Sequence, residues 1–241
     1  LTQKAMDGDL DLREVYGKRL EAIRPTRGQM REIEERYWQT LVPDSEAVIA
    51  ALHYLGKQVF IISGGLADPV RGFGRRLGVP PENIRAVELE YNELSGDWWR
   101  YYEPQTTARQ TYLDYDEGPL TASQGKLAIV EELAQGKPGR RLMVGDGASD
   151  LAARPVVDLF AGFGGVVARD KVRQDADVFV ATESLAPVLP LAIGPVGYAR
   201  LRGTPHQSAA DHGLELAHQG GLSFKRDDLR DSFWHAFEDL S

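Results

Sequence analysis

VFIISGG, residues 59–65, runs through four consecutive apolar residues, Val59 to Ile62, and stops on Ser63, Gly64 and Gly65. A strand with one wet face alternates apolar and polar side chains, so an unbroken apolar run predicts a strand covered by helices on both faces. The preceding segment supports this. Pro43 and Asp44 open a helix carrying Ala47, Val48, Ala51, Leu52 and Leu55 on one side, and Gly56 closes it. A second helix is predicted from the glycines to about Leu77.

Downstream, the alternation of helix and strand repeats. A helix is expected from Ser123 to about Ala134, strands at Arg141–Val144 and Val156–Phe160, a helix around Lys171, and a strand at Val178–Val180. This order predicts an α/β fold with a doubly wound, Rossmann-like parallel sheet, whose ligands sit beyond the carboxyl ends of the strands. Between the first strand and the helix at Ser123, the segments Ile84–Tyr91 and Trp98–Tyr102 flank Ser95-Gly96-Asp97 and read as a β-hairpin inserted at about 84–102.

The two ends differ from this core. Leu12, Val15, Tyr16, Leu20 and Ile23, then Met30, Ile33, Tyr37 and Trp38, recur at helical spacing and predict a helical module over residues 1–42. The core is expected over 43–192. Residues 193–241, where Gly, Pro and His are common, read as a C-terminal extension ending in an amphipathic helix through Leu229, Phe233, Ala236, Phe237 and Leu240.

Composition narrows the function classes. With 241 residues, 42% hydrophobic and 27% charged, the chain can bury a core and is neither disordered nor collagen-like. Its 28 Lys and Arg against 36 Asp and Glu leave a net charge of −8, so no overall basic field holds a nucleic acid or an anionic membrane. The absence of cysteine removes disulfides, thiolate metal sites and a thiol nucleophile. The longest uncharged stretch suited to a membrane, 186–199, is too short and is broken by Pro187, Pro190 and Pro195, and no secretory pattern opens the chain. A cytoplasmic protein is expected, with a homo-oligomer allowed.

Three features fall at predicted strand ends: Ser63-Gly64-Gly65, Lys126, and Gly145-Asp146-Gly147-Ala148-Ser149-Asp150. Each alone is ordinary, as a turn, a solvated lysine and a loop. Their shared edge of one sheet makes them a candidate anion and metal site. A serine hydroxyl and glycine-turn amides suit phosphate oxygens, a lysine offsets the charge of a transferring phosphoryl group, and carboxylates supply the hard oxygens that Mg2+ prefers. Asp146 is the expected metal ligand. Asp150 is expected to orient Lys126 or Asp146 from behind.

The motifs VFIISGG (59–65), TASQGKLAIVEEL (121–133), LMVGDGASD (142–150), FGGVVARDKVRQDADVFV (163–180) and KAMDGDLDLREVYGKRL (4–20) together resemble the haloacid dehalogenase superfamily, within it the phosphoserine phosphatase group. The resemblance covers about residues 1–192. It implies a small helical cap in which Met6 shields the site and Arg19 binds a substrate carboxylate, with Gly64, Gly65 and Ser149 near the substrate. It also implies Mg2+ and a small phosphorylated metabolite, phosphoserine above all. Ser149 stands where the group has Asn or Thr, and Leu12 where it has Phe.

The family's attacking residue is the first Asp of Asp-x-Asp-x-Thr or Val at the end of an apolar strand. Neither Asp7-Gly8-Asp9 nor Asp114-Tyr115-Asp116 follows such a strand; the first reads as the opening of the cap helix and the second as a solvated loop. The nucleophile is therefore expected upstream of Leu1, on a central strand between those ending at Ser63 and Asp146. Two other readings stay open: a phosphatase for another small phosphorylated metabolite, and a phosphate-binding pseudoenzyme without the attacking Asp. A third gives residues 193–241, with His206, His212, His218 and His235, a role in assembly.

Overall fold

The computed structural model describes residues 12–100, 102–103 and 107–238. The chain divides into two compact units, Leu1–Leu41 with Phe60–Ile129, and Val42–Val59 with Val130–Ser241.

In the first unit, the N-terminal helices are α1 (Leu12–Ile23) and α2 (Arg27–Gln39). Thr26 caps α2 reciprocally with Gln29: Oγ1 accepts the Gln29 N–H at 3.3 Å and Gln29 Oε1 accepts the Thr26 N–H at 2.8 Å. Met30 of α2 is only 2% exposed. The same helix packs on α4 (Ala67–Arg76), where Tyr37 and Trp38 meet the edge of Phe73 at 6.0 and 6.2 Å between ring centres.

Strand β1 (Ile61–Leu66) pairs in parallel with β2 (Ile84–Val87), and β3 (Leu89–Asn92) pairs antiparallel with β4 (Thr111–Tyr115). The second pairing corrects the expected hairpin at 84–102. Trp98–Arg100 is a single 3-10 turn rather than a strand, and the stretch around Asp114 and Tyr115, expected as a loop, lies in the true partner of β3. The local chemistry explains the difference. Asn92 Oδ1 accepts the Leu94 N–H at 3.0 Å and Ser95 Oγ accepts the Thr111 N–H at 2.8 Å, so the chain turns off β3 and is pinned to the start of β4. Trp98 and Trp99, whose aromaticity suggested a strand, are 51% and 56% exposed.

The helical module is stitched to β4 by main-chain bonds. The Tyr112 N–H donates to Pro25 O at 2.9 Å and the Arg27 N–H to Gln110 O at 3.0 Å, while Tyr16 stacks at a tilt on Tyr115, 5.4 Å between centres.

The second unit holds a four-stranded sheet in the order β5 (Leu142–Gly145), β6 (Leu159–Phe163), β7 (Val178–Val180), β8 (Leu222–Phe224). The first three are parallel and β8 is antiparallel to β7. Val48 and Ala51 of helix α3 (Ser45–Tyr54), with Leu55 just after it, pack against Leu189, Ile193 and Leu201 of α8 (Val188–Leu201) and Ala210 of α9 (Gln207–Leu216). Phe233 and Trp234 of α10 (Asp227–Glu238) close the core of β6 to β8.

Residues 193–241 are thus part of this unit, adding a strand and three helical segments to its core, which corrects their reading as an appended extension. The sequence misleads here for two reasons. The proline-rich apolar stretch is one helix kinked at Gly194, whose φ of +59° lets Pro195 begin a second segment, and β8 is only three residues long.

β1 and β5 are edge strands among the described residues. β5 is half-buried along its length, whereas β7 is buried at every position. No helix of the described residues is long and apolar enough to cross a membrane.

Asp177, just before β7, clamps this sheet. Its Oδ1 accepts from Arg154 Nη2 at 2.5 Å and Nε at 3.1 Å, and its Oδ2 accepts the Phe160 N–H at 2.9 Å. Burial opposes its ionisation, but these donors outweigh it and hold the carboxyl below the usual carboxylate range. A lowered folded-state pKa stabilises fully above the unfolded value of about 3.9 and loses that stabilisation as pH falls toward the folded value. Asp177→Asn is therefore expected to destabilise by about 2 kcal/mol at neutral pH and to flatten the stability loss below about pH 4, measured by urea unfolding across pH.

Candidate functional site

Ser63, Gly64 and Gly65 lie inside β1, three residues later than the apolar run alone suggests. Residue partners in β2 exist for Ile61, Ile62 and Leu66, so the Ser-Gly-Gly segment falls where the register breaks. The Gly65 N–H donates to Ser63 Oγ at 2.9 Å, which uses that oxygen as an acceptor and points the hydroxyl hydrogen elsewhere. A Cβ on Gly65 would sit 3.1 Å from that Oγ and 3.3 Å from Val70, so glycine keeps the turn tight.

Lys126 is the second residue of α5 (Gly125–Ala134) and is half-buried. The helix starts where it does because Gly125 lies against the turn Pro119–Thr121; a Cβ there would be 1.5 Å from Pro119 O. That turn packs on both β1 and β2. A glycine contact and a short turn thus set the helix start that carries Lys126.

Arg19 is exposed on α1, and its charge lies near the Tyr16 phenol. Burial raises the Tyr16 pKa strongly and the Arg19 charge offsets a part of that rise. Met6 and the Asp7–Asp11 stretch lie outside the described residues.

In the second unit, β5 ends at Gly145 and delivers Asp146 at its tip. The turn that follows is held by Asp150, 7% exposed, whose Oδ2 accepts the Gly147 N–H at 3.0 Å. Gly145 has no room for a side chain: a Cβ would meet the Asp150 Cβ at 2.2 Å. Asp150 therefore orients the main chain on either side of Asp146. Ser149 is half-buried in the short helix α6 (Ala148–Leu151).

The described residues contain no cluster of three or more His, Asp or Glu side chains able to hold a metal ion. Asp146 still fits a hard divalent cation as one ligand of a shared set. Its carboxylate is 39% exposed at a strand tip, whereas Asp150 is 7% exposed and accepts the Gly147 N–H.

Arg169 is the residue that sequence reasoning missed. It precedes α7 (Asp170–Asp175), and its Nη1 donates both to Asp146 O at 3.0 Å and to Asp146 Oδ2 at 2.5 Å. Only its position in the FGGVVARD run could have drawn attention to it, because the contact spans 23 residues of sequence.

Residues 3–155 match the family model of haloacid dehalogenase-like hydrolases. The chain belongs to that family. Its curated relatives include phosphoserine phosphatase from Mus musculus, 30% identical over 181 residues that make up 75% of this chain and 74% of that protein. The chloroplastic phosphoserine phosphatase of Arabidopsis thaliana is 31% identical over 73% of this chain and 56% of that protein.

Among solved structures, a phosphoserine phosphohydrolase-like protein from Francisella tularensis aligns with a TM-score of 0.61 at 25% identity, over 79% of this chain and 80% of that one. A substrate-bound phosphoserine phosphatase complex aligns with a TM-score of 0.62 at 22% identity, over 79% of this chain and 81% of that one, which speaks to the fold alone.

Proposed function

We propose that the protein is a magnesium-dependent, cytoplasmic phosphomonoesterase that hydrolyses O-phosphoserine to serine and phosphate. The observation that carries this reading is the strand-tip carboxylate Asp146, held by the Gly145–Asp150 turn, in a chain whose relatives of about 30% identity are phosphoserine phosphatases.

Ser63 Oγ–H and the amides of Gly64 and Gly65 hold phosphoryl oxygens, and Lys126 neutralises the charge that develops on them. Asp146 supplies a carboxylate oxygen to the cation, and Asp150 keeps Asp146 in place through the turn. The cation, when bound, polarises the phosphoryl group. Arg19 pairs with the substrate carboxylate, for which a guanidinium fork is well shaped, while Met6 and Ser149 border the substrate.

The attacking group is an Asp carboxylate at the end of an apolar strand upstream of Leu1, as the family's Asp-x-Asp pattern requires. Its oxygen bonds to phosphorus as the phosphorus–serine oxygen bond breaks, and a second Asp protonates the leaving alkoxide. Water then gives a proton to that second Asp, now a carboxylate, and attacks the aspartyl phosphate, so that the phosphorus–carboxylate oxygen bond breaks, phosphate leaves and both Asp residues return to their starting states.

The test is phosphate release by the full-length gene product from O-phosphoserine and a panel of other phosphorylated metabolites, with Mg2+ and with EDTA. Metal-dependent turnover with O-phosphoserine preferred is expected. Preference for another ester would overturn the substrate, and no turnover of any ester would make the chain a phosphate-binding module.

A further inference from the structure

We propose that the Tyr37 hydroxyl is a further substrate contact, donating a hydrogen bond to a phosphoryl oxygen held at the Ser63–Gly65 turn. The inference rests on the reading of that turn as the phosphate-binding element.

Tyr37 stands in the last turn of α2, and its ring meets the edge of Phe73 on α4, 6.0 Å between ring centres. Its neighbour Trp38 touches the same Phe73 and carries the Arg76 guanidinium 3.8 Å above its own ring centre. The end of α2 is thus fastened to α4, the helix that begins directly after β1. That docking brings the phenol to the turn. The point that a Cβ on Gly65 would occupy lies 3.1 Å from Ser63 Oγ and 3.6 Å from Tyr37 Oη, so the two hydroxyls flank one small space that glycine leaves open.

The Tyr91 and Tyr198 hydroxyls are bonded to Asp68 and Asp211, whereas among the described residues no hydrogen bond occupies that of Tyr37. Burial raises the Tyr37 pKa, so the group stays protonated and is a donor throughout the neutral range. Tyr16 on α1 extends this lining. Burial raises its phenol strongly, the Arg19 charge offsets a part of that rise, and the Tyr115, Tyr37 and Tyr112 phenols add to it, which places Tyr16 within electrostatic reach of both Arg19 and Tyr37. A phosphorylated amino acid with its carboxylate at Arg19 and its phosphate at the turn would have these phenols alongside. The attacking Asp approaches phosphorus opposite the ester oxygen, which leaves the equatorial oxygens to accept from Ser63, Lys126 and Tyr37.

The experiment compares wild type, Y37F and S63A in the full-length protein, reading turnover of O-phosphoserine and its inhibition by inorganic phosphate. Y37F keeps the ring and its contact with Phe73, so an unchanged melting temperature is expected. Its kcat/KM should fall about tenfold, and the inhibition constant of inorganic phosphate, which has no amino-acid part, should rise by at least about threefold. Y37F within about twofold of wild type on both counts would overturn the proposal, and so would lost turnover with phosphate inhibition unchanged, since the hydroxyl would then act elsewhere than on a phosphoryl oxygen. Wild-type turnover and phosphate inhibition in S63A would instead overturn the reading of the turn. A second measurement needs no variant: the Tyr37 13Cζ resonance of wild type should shift as inorganic phosphate is added, and a resonance that stays fixed through saturation counts against the contact.

Discussion

Asp146→Asn is expected to lower kcat on O-phosphoserine about 10³-fold in the full-length protein, since it removes the only charged oxygen that β5 brings to its tip. Asparagine keeps the shape of the side chain and still accepts a hydrogen bond from Arg169, so the Gly145–Asp150 turn is preserved. What disappears is the negative charge, and with it both the attraction for a divalent cation and the counter-charge of a nearly buried guanidinium. The variant should therefore also unfold more easily, by about 2 kcal/mol. Steady-state assay over a range of Mg2+, with circular dichroism to confirm folding, separates the two effects. Turnover within a few-fold of wild type would mean that Asp146 is not at the reacting centre.

Lys126→Ala is the second large effect, about 10² to 10³ in kcat, because a full positive charge opposite a developing phosphoryl charge acts mostly in the transition state. The fold should survive. Lys126 is half-buried at the start of α5, alanine is the best helix former, and the helix start is set by Gly125 against Pro119 O rather than by the lysine. A fall in kcat/KM with an unchanged melting temperature is expected, and Lys126→Arg should recover only a part of it, since a planar fork does not replace a point charge. A loss confined to KM would assign the lysine to binding alone.

Periodicity made much of this architecture readable. The helical spacing of Leu20 and Met30, the apolar run at Val59 and the strand before Asp146 all lead to elements that exist, because each buries one continuous apolar surface whose pattern is local. Boundaries were less visible. β1 extends through Ser63, Gly64 and Gly65, which have poor strand propensity, because β2 pairs with it on either side of the irregularity.

What stayed hidden depends on partners distant in sequence. β4 exposes Leu113 and Asp114, so nothing local marks it as the mate of β3, and β8 is three residues that pair with β7. Arg169 and Arg154 look like surface charges in sequence, and their partners Asp146 and Asp177 are each 23 residues away. At the candidate site, residue types and their order along the chain could be read. The turn held by Asp150 and the arginine on Asp146 could not.

Gly145 offers no functional group, yet the methylene of Asp150 fills the space its side chain would need. Mutational tolerance at the end of β5 should accordingly vanish at two successive positions for unrelated causes, one for want of charge and the other for want of volume. A catalogue of intolerant sites would mistake the glycine for a participant in the chemistry, when it is the mould in which its neighbour is cast.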